Sequence, residues 1–323
     1  MRIDVHAHLY PRPYVKAVEP FFAGDDTPAS RDVQRILGWI SSDPRMWSVD
    51  DRLADLERFA ITTQVLSVSL PNVYLPDKAA AVDLCQMCND SFIETARAYP
   101  GKFRVFASVP LHFPQEAMRE LDRVAPEPEV VGVILGANVA GRPLDSAEFL
   151  PFYAELERRE LPFFIHPMSA PGIECMMEFG LANLAGYLFD TTLAALRLVF
   201  AGVFERHPRL QMIFPHLGGV APYLLGRVQW GYERFPFCRE HISSPPETYF
   251  RRFYYDTVSR SVPALKMAIA LFGVDHLVFG TDYPFRDDLD PQLRDIEALG
   301  LSQDETNAIF SDNTATVLRL DRT

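Results

Sequence analysis

The chain has 323 residues, of which 48% are hydrophobic and 23% charged, and its formal net charge is −12. Enough apolar surface is available to bury a core, which excludes a disordered chain. The acidic balance argues against a nucleic-acid or anionic-lipid surface, either of which needs clustered lysine and arginine, while a small anionic substrate stays open because a local arginine or metal overrides the global field.

In chain order, Met-Arg-Ile-Asp-Val-His opens the sequence without an apolar leader, so a cytoplasmic protein is expected. A first strand is predicted over residues 2–6, followed by an irregular stretch over 10–47 and a helix over 49–59. Strands over 64–70, 103–109 and 130–135 alternate with helices over 77–98, 114–124 and 146–159. Cys85 and Cys88 form a CxxC inside the first of these helices. With only four cysteines and no second pair at zinc-finger spacing, they read as small buried hydrophobes. A strand over 162–166 leads into a second irregular stretch, 167–183, and then a helix over 184–207. The most apolar run, 193–204, is interrupted by Arg197 and is shorter than the roughly 20 residues a bilayer requires, so no membrane partner is expected. Strands over 210–215, 253–257 and 276–280 alternate with helices over 219–234, 262–272 and 291–299, and a final helix is predicted over 302–318.

Several strands are continuous apolar runs such as Val-Val-Gly-Val-Ile-Leu. Strands buried on both faces have that character, which points to a parallel sheet covered by helices. Eight strands alternating with eight helices predict an α/β fold, a single (β/α)8 TIM barrel of residues 1–323 with insertions after strands one and five. Long irregular stretches in a compact domain are usually functional.

His6 and His8 flank Ala7 at the end of the first strand. Residues i and i+2 of a strand share a face, so both imidazoles point toward one place. An HxH pair alone is a weak metal signal. His166 and His216 are each the first histidine after an apolar strand, and Asp282 stands just beyond the eighth strand. In a (β/α)8 barrel those strand ends share the active-site rim, so the set converges from strands one, five, six and eight. Satisfied polar strand termini, with Asp282 capping a turn, are the ordinary alternative. His207, at a helix end, His241, in a polar loop, and His276, at the start of a strand, fall away from that rim; His112 ranks below the main set.

These residues lie in five motifs: Asp4-Val-His-Ala-His8, Phe164-Ile-His-Pro167, Gly202-Val-Phe-Glu-Arg-His-Pro-Arg-Leu210, His216-Leu-Gly-Gly-Val-Ala-Pro-Tyr with Gly226-Arg227, and Gly280-Thr-Asp-Tyr-Pro-Phe285. Together they resemble the amidohydrolase superfamily, in the branch typified by α-amino-β-carboxymuconate-ε-semialdehyde decarboxylase, over nearly the whole chain. The resemblance implies that His6, His8, His166 and Asp282 bind one divalent metal, zinc first and manganese as the alternative, with no organic cofactor. It implies that His216 stays off the metal as the acid/base, with Asp282 as the other candidate proton donor. No lysine ends the fourth strand, where Gly136-Ala137-Asn138 follows, so a mononuclear site is expected.

The same branch implies arginines that hold substrate carboxylates, one of them from a neighbouring subunit. Arg45, Arg227 and Arg234 are the candidates here, and Trp47, Tyr283 and Phe285 are candidate walls. Met168, Met176, Met177 and Phe179 suit either a planar apolar substrate or simple packing under a loop. The leading expectation is a metal-dependent, non-oxidative decarboxylase of an aromatic or unsaturated carboxylic acid, of hydroxyaryl or muconate type. The alternatives are a hydrolase of an amide, lactone or related bond and a hydratase of an unsaturated diacid on the same site. A homodimer or higher homo-oligomer is expected from the resemblance and from the prevalence of symmetric assemblies.

Overall fold

Eight strands pair in parallel in sequential order in the computed structural model, which describes residues 1–286 and 288–320. They are β1 (Ile3–His8), β2 (Thr63–Ser67), β3 (Phe103–Ser108), β4 (Val130–Gly136), β5 (Phe163–His166), β6 (Met212–Phe214), β7 (Tyr254–Asp256) and β8 (Leu277–Val278). Beyond β8 the chain returns to β1. The Val5 amide donates to the Phe279 carbonyl at 2.9 Å, the Asp282 amide to the His6 carbonyl at 2.7 Å, and the His8 amide to the Tyr283 carbonyl at 2.7 Å. These bonds bring the two edges together as a (β/α)8 barrel.

Inside the barrel, Val5, Val65, Phe106, Ile134, Phe164, Ile213 and Val278 form one buried cluster, joined by Val317 and Leu318 of the last helix. A larger apolar layer lies between the strands and the surrounding helices. The β1–β2 register shifts between Asp4 and Ala7. Strict alternation would send Val5 and the pair His6/His8 to opposite faces. The irregularity lets Val5 join the inner core while both histidines still point into the barrel mouth.

Outer helices follow as expected at Val49–Arg58, Lys78–Ala98, Pro114–Val124, Leu150–Arg158, Ala221–Arg234, Val262–Phe272 and Asp290–Glu297. Three predicted stretches differ. Residues 10–47 are largely helical: Tyr14–Val18 is followed by Pro28–Ser42, whose Thr27 cap accepts from the Ser30 amide. Its Val33, Ile36, Leu37 and Ile40 are buried, so an apolar stripe docks it on the barrel. The helix expected over 184–207 ends at Phe200 and restarts as Val203–Arg206. Gly202 makes the break with φ +72°, and a Cβ there would lie 2.3 Å from the His241 carbonyl oxygen. The last helix runs from Gln303 to Leu318 but widens to π geometry over Ala308–Asp312.

Residues 167–183 are mostly irregular, as expected, with a short turn at Ile173–Cys175. Cys85 and Cys88 are fully buried free thiols, and burial pushes both pKa values up. Among the described residues no helix is long and apolar enough to cross a membrane.

Candidate metal centre

One ligand atom from each of His6, His8, His166 and Asp282 lies within 4.8 Å of the other three. His6 and His8 come from β1, His166 ends β5, and Asp282 follows β8. His6 Nε2 lies 3.1 Å from His8 Nε2, and each of these nitrogens lies 3.3 Å from Asp282 Oδ1. Two donors bound at about 2.0–2.1 Å to one tetrahedral ion would stand about 3.3 Å apart, so these spacings suit a single divalent ion.

Each imidazole is held by its other nitrogen. His6 Nδ1 donates to Asp256 Oδ2 at 2.6 Å, which leaves Nε2 as a lone pair. His8 Nδ1 faces Ser67 Oγ at 3.2 Å, and that hydroxyl donates to the Ala7 carbonyl at 3.1 Å. Oγ therefore accepts, and His8 Nε2 too is a lone pair. His166 Nδ1 faces the Pro167 carbonyl at 3.1 Å, and His166 Nε2 is buried without a partner. Buried acceptors aimed at one another are costly unless a cation lies among them. The donor set fits a metal.

The ionisation pattern agrees. Burial pushes His8 down to about 4. Burial, followed by the neighbouring imidazoles, holds His166 well below its usual value. Burial alone would raise Asp282, but the neighbouring imidazoles, His6 first and then His216 and His8, hold it well below the usual carboxylate range. For His6, burial pulls down while the Asp282 charge and the Asp256 hydrogen bond pull up and prevail. Two neutral imidazoles beside a carboxylate are ready ligands at neutral pH.

Asp282 and His216 both adopt left-handed backbone conformations, φ +63° and +52°. Non-glycine residues held there mark strain that neighbouring structure must sustain. At Asp282 the restraint is its amide bond to His6. Beside His216, the Leu217 amide donates to Asp256 Oδ1 at 3.0 Å. His216 Nε2 lies 3.8 Å from Asp282 Oδ2, and His216 Nδ1 is buried and unpartnered. β4 ends at Gly136, paired with His166, where a Cβ would meet Met168 Cγ at 2.6 Å. β4 contributes no ligand to the cluster.

A cavity of ≈ 390 Å³ opens beside the cluster, reached by His166, His216 and Asp282 and walled by Ile36, Trp39 and Phe285. A larger one of ≈ 550 Å³ shares Leu70 with it but is lined by no histidine; the smaller cavity is the one at the chemistry. Of the predicted substrate contacts, Phe285 lines it. Arg45, Trp47, Arg227 and Arg234 do not. Arg45 is tied to Asp43 at 2.7 Å, Trp47 lies 3.7 Å beneath the Arg12 guanidinium, and Arg227 and Arg234 are exposed on the helix Ala221–Arg234. Tyr283 is buried, with its hydroxyl on Asp55 at 2.8 Å. Met168 lines the larger cavity, and Met176, Met177 and Phe179 line neither. His112 Nε2 donates to the Leu75 carbonyl at 2.7 Å, outside the cluster.

The sequence reasoning missed Asp256, Asp4, Arg52, Arg260 and Arg286. Asp256 obeys the same rule as the ligands, being a polar residue at the end of an apolar strand. Asp4, pushed up to about 6 by burial, accepts from Gln64 and Thr281 and so ties β1 to its neighbours on both sides. Arg52 is fully buried and donates to the His8 carbonyl and to Gln64; nothing in Val-Asp-Asp-Arg signals that role. Arg260 and Arg286 line the cavity.

Among known proteins, the chain is 31% identical over 88% of its length to 2-amino-3-carboxymuconate-6-semialdehyde decarboxylase of Dictyostelium discoideum, covering 82% of that protein. It is 29% identical to gamma-resorcylate decarboxylase of Rhodococcus jostii, covering 88% of this chain and 92% of the relative. In fold it matches the crystal structure of a dihydroxybenzoic acid decarboxylase from Polaromonas with bound manganese and 2-nitroresorcinol, with a TM-score of 0.83 at 23% identity, over 100% of this chain and 98% of that one. The family model described as amidohydrolase matches residues 3–320, and the chain belongs to that family.

Proposed function

We propose that this chain is a metal-dependent, non-oxidative decarboxylase of a hydroxyaryl or muconate-type carboxylic acid. The observation that carries the reading is the buried convergence of three imidazoles and one carboxylate, with His216 beside them, at the mouth of a one-ring cavity. Relatives that are 29% and 31% identical over most of the chain are decarboxylases of such acids, which supports the reaction class.

His6, His8, His166 and Asp282 hold the metal, with zinc favoured by the imidazole-rich set and manganese the alternative found in the Polaromonas enzyme. When bound, the metal supplies Lewis-acid polarisation of a substrate oxygen, which stabilises charge delocalised from the neighbouring carbon. Asp256 and Ser67 fix the rings of His6 and His8. Phe285, tilted 5.6 Å from the His8 ring, and Ile36 keep the reacting face dry. The bond from the ring to the carboxyl carbon breaks, its electron pair stays on the ring carbon, and a proton takes the vacated place. The His216–Asp282 pair delivers that proton from the cavity side.

A homodimer completes the proposal. Phe189 and Leu193, on the helix Tyr187–Phe200, and Tyr223 and Trp230, on Ala221–Arg234, are exposed large apolar side chains, which supports an interface with a second copy. In such a dimer Arg227 and Arg234 would serve the partner's cavity, if either serves a substrate. Four free thiols suit a reducing cytoplasm.

The test is CO2 release from a panel of hydroxybenzoic and muconate-type acids by metal-replete protein, with and without chelator. Chelator-sensitive CO2 with an otherwise unchanged product is expected. Addition of water to an amide, lactone or alkene substrate, without CO2, would replace this reading with the hydrolase or hydratase one.

A further inference from the structure

Ser69, just past the end of β2, lies outside every motif that links the chain to its family, yet it lines the cavity beside the metal centre. It is 2% exposed, and the lining around the same cavity includes the apolar Ile36, Trp39 and Leu70.

The hydrogens on Ser69 and Tyr10 can be assigned. A hydroxyl has one hydrogen to donate and two lone pairs with which to accept. The Tyr10 hydroxyl oxygen accepts from the Ser69 amide at 3.3 Å and lies 2.5 Å from Ser69 Oγ. Neither hydroxyl has another partner among the described residues, so one of the two hydrogens stays outside the pair. Tyr10 is fully buried and lines neither cavity. A hydrogen stranded there would carry the whole desolvation cost. Tyr10 therefore donates, Ser69 Oγ accepts, and the hydrogen left over belongs to the residue that lines the cavity.

Ser67 supplies the contrast. Its hydroxyl accepts from His8 Nδ1 and donates to the Ala7 carbonyl, so its hydrogen is already used. The other polar lining groups outside the metal centre are engaged or reach solvent. Tyr187 donates to Asp32 at 2.8 Å, and Asn183, Ser259, Arg260 and Arg286 are exposed or half-buried. A donor shielded from water discriminates more strongly than one that solvent can satisfy.

The sheet order sets β2 four strands from β6. In an eight-stranded barrel that is the opposite side, so Ser69 stands across the mouth from His216. A ring whose carboxyl group reacts within reach of His216 turns its other flank to Ser69. An oxygen on that flank accepts the serine hydrogen, whereas a methyl group leaves it unpaired.

We infer that Ser69 is a specificity-determining residue: its hydroxyl, aimed by Tyr10, donates to an oxygen substituent beside the reacting carboxyl group, so the site selects oxygen over methyl there. Tyr10 acts through Ser69 as a positioning residue. The inference deepens the decarboxylase reading and rests on it.

The experiment gives metal-replete wild type, Ser69→Ala, Ser69→Thr and Tyr10→Phe two ortho-hydroxybenzoic acids. One carries a second hydroxyl at the other ortho position, and its counterpart carries a methyl group there. The two acids differ in intrinsic reactivity, but that difference cancels when their kcat/KM ratio is compared between proteins. Ser69→Ala is expected to shift the ratio about 10-fold toward the methyl acid, through KM rather than kcat. Tyr10→Phe is expected to shift it about 3-fold in the same direction, and Ser69→Thr, which keeps the hydroxyl, to retain most of the wild-type preference. A ratio unchanged in Ser69→Ala overturns the inference. Calorimetric binding of the two product phenols is the second readout. Loss of the serine hydroxyl is expected to weaken the dihydroxy product about 10-fold relative to the methyl one, and equal weakening of both overturns the inference. If neither acid releases CO2, the decarboxylase reading fails, while the calorimetry still decides whether Ser69 reads the substituent.

Discussion

Asp256 accepts a 2.6 Å hydrogen bond from Nδ1 of His6, with both side chains shut off from solvent. The same carboxylate accepts from the amides of Leu217 and Val258. It therefore joins the ring that faces the metal position to the segment that carries His216. Although burial alone would raise Asp256, the His6 bond holds its pKa below the usual range, so it remains an acceptor.

Asp256→Asn removes that charge and permits the wrong His6 tautomer. Metal affinity is expected to fall about 10- to 100-fold. Competitive titration against a chromogenic chelator measures it, and unchanged affinity would remove Asp256 from the metal centre.

His216→Ala is expected to keep its metal, because His216 lies outside the ligand set, yet to lose about 10²- to 10⁴-fold in kcat. Metal content and initial rates on one preparation separate the two effects. Loss of metal together with activity would make His216 a ligand.

Removing the metal leaves buried lone pairs opposed, so the stripped protein is expected to melt at a lower temperature. Restoring free ion to 100 times its Kd returns about 2.7 kcal/mol of stability. Differential scanning calorimetry across a zinc or manganese titration reads this directly, and a melting temperature indifferent to both ions contradicts a built site.

In the metal-free protein, His8 is depressed to about 4 from an ordinary 6.5, and His166 is also lowered. Between those values the unfolded chain binds protons that folded His8 does not, so stability falls as pH falls. His6 is shifted the other way, but its contribution is complete below pH 6.5, whereas Asp4 and Asp190, both raised to about 6, oppose the His8 trend below pH 6. Metal-free His8→Asn is therefore expected to lose less melting temperature than metal-free wild type between pH 6.5 and pH 4; identical profiles would contradict a lowered His8.

A Cβ at position 280 would lie 2.9 Å from the Cβ atoms of both His6 and Asp256. Gly280→Ala therefore forces apart the pair on which the centre depends. A loss of about 1–3 kcal/mol in denaturant unfolding is expected, together with weaker metal binding; a neutral variant would show that this contact yields easily.

The barrel and its ligands were legible because both follow short-range rules. Buried parallel strands read as apolar runs, and His166, His216 and Asp282 interrupt such runs at the rim. Asp256 obeys the same rule, but Tyr-Tyr-Asp-Thr carries no histidine to mark it as part of a metal centre. Arg52 was not, since Asp50, Asp51 and Asp55 around it look like an ordinary charged helix face, and only tertiary packing turns it inward beneath the His8 carbonyl. The helix Pro28–Ser42 carried a cap signal in Thr27-Pro28, but Gly38 and the polar residues around it masked an apolar stripe that becomes evident only against the barrel. Arg45, Arg227 and Arg234 lie close to a family pattern in sequence, whereas cavity position depends on how loops after β7 and β8 fold back. That is how Arg260 and Arg286 reach it.

The most direct measurement is the reaction in D2O with metal-replete protein and a hydroxyaryl acid that turns over, following CO2 and the ring proton together. A decarboxylase with His216–Asp282 as proton donor yields one CO2 per product and a single deuterium at the vacated carbon. No CO2 from any acid of the panel, or a product that has gained water, would contradict it.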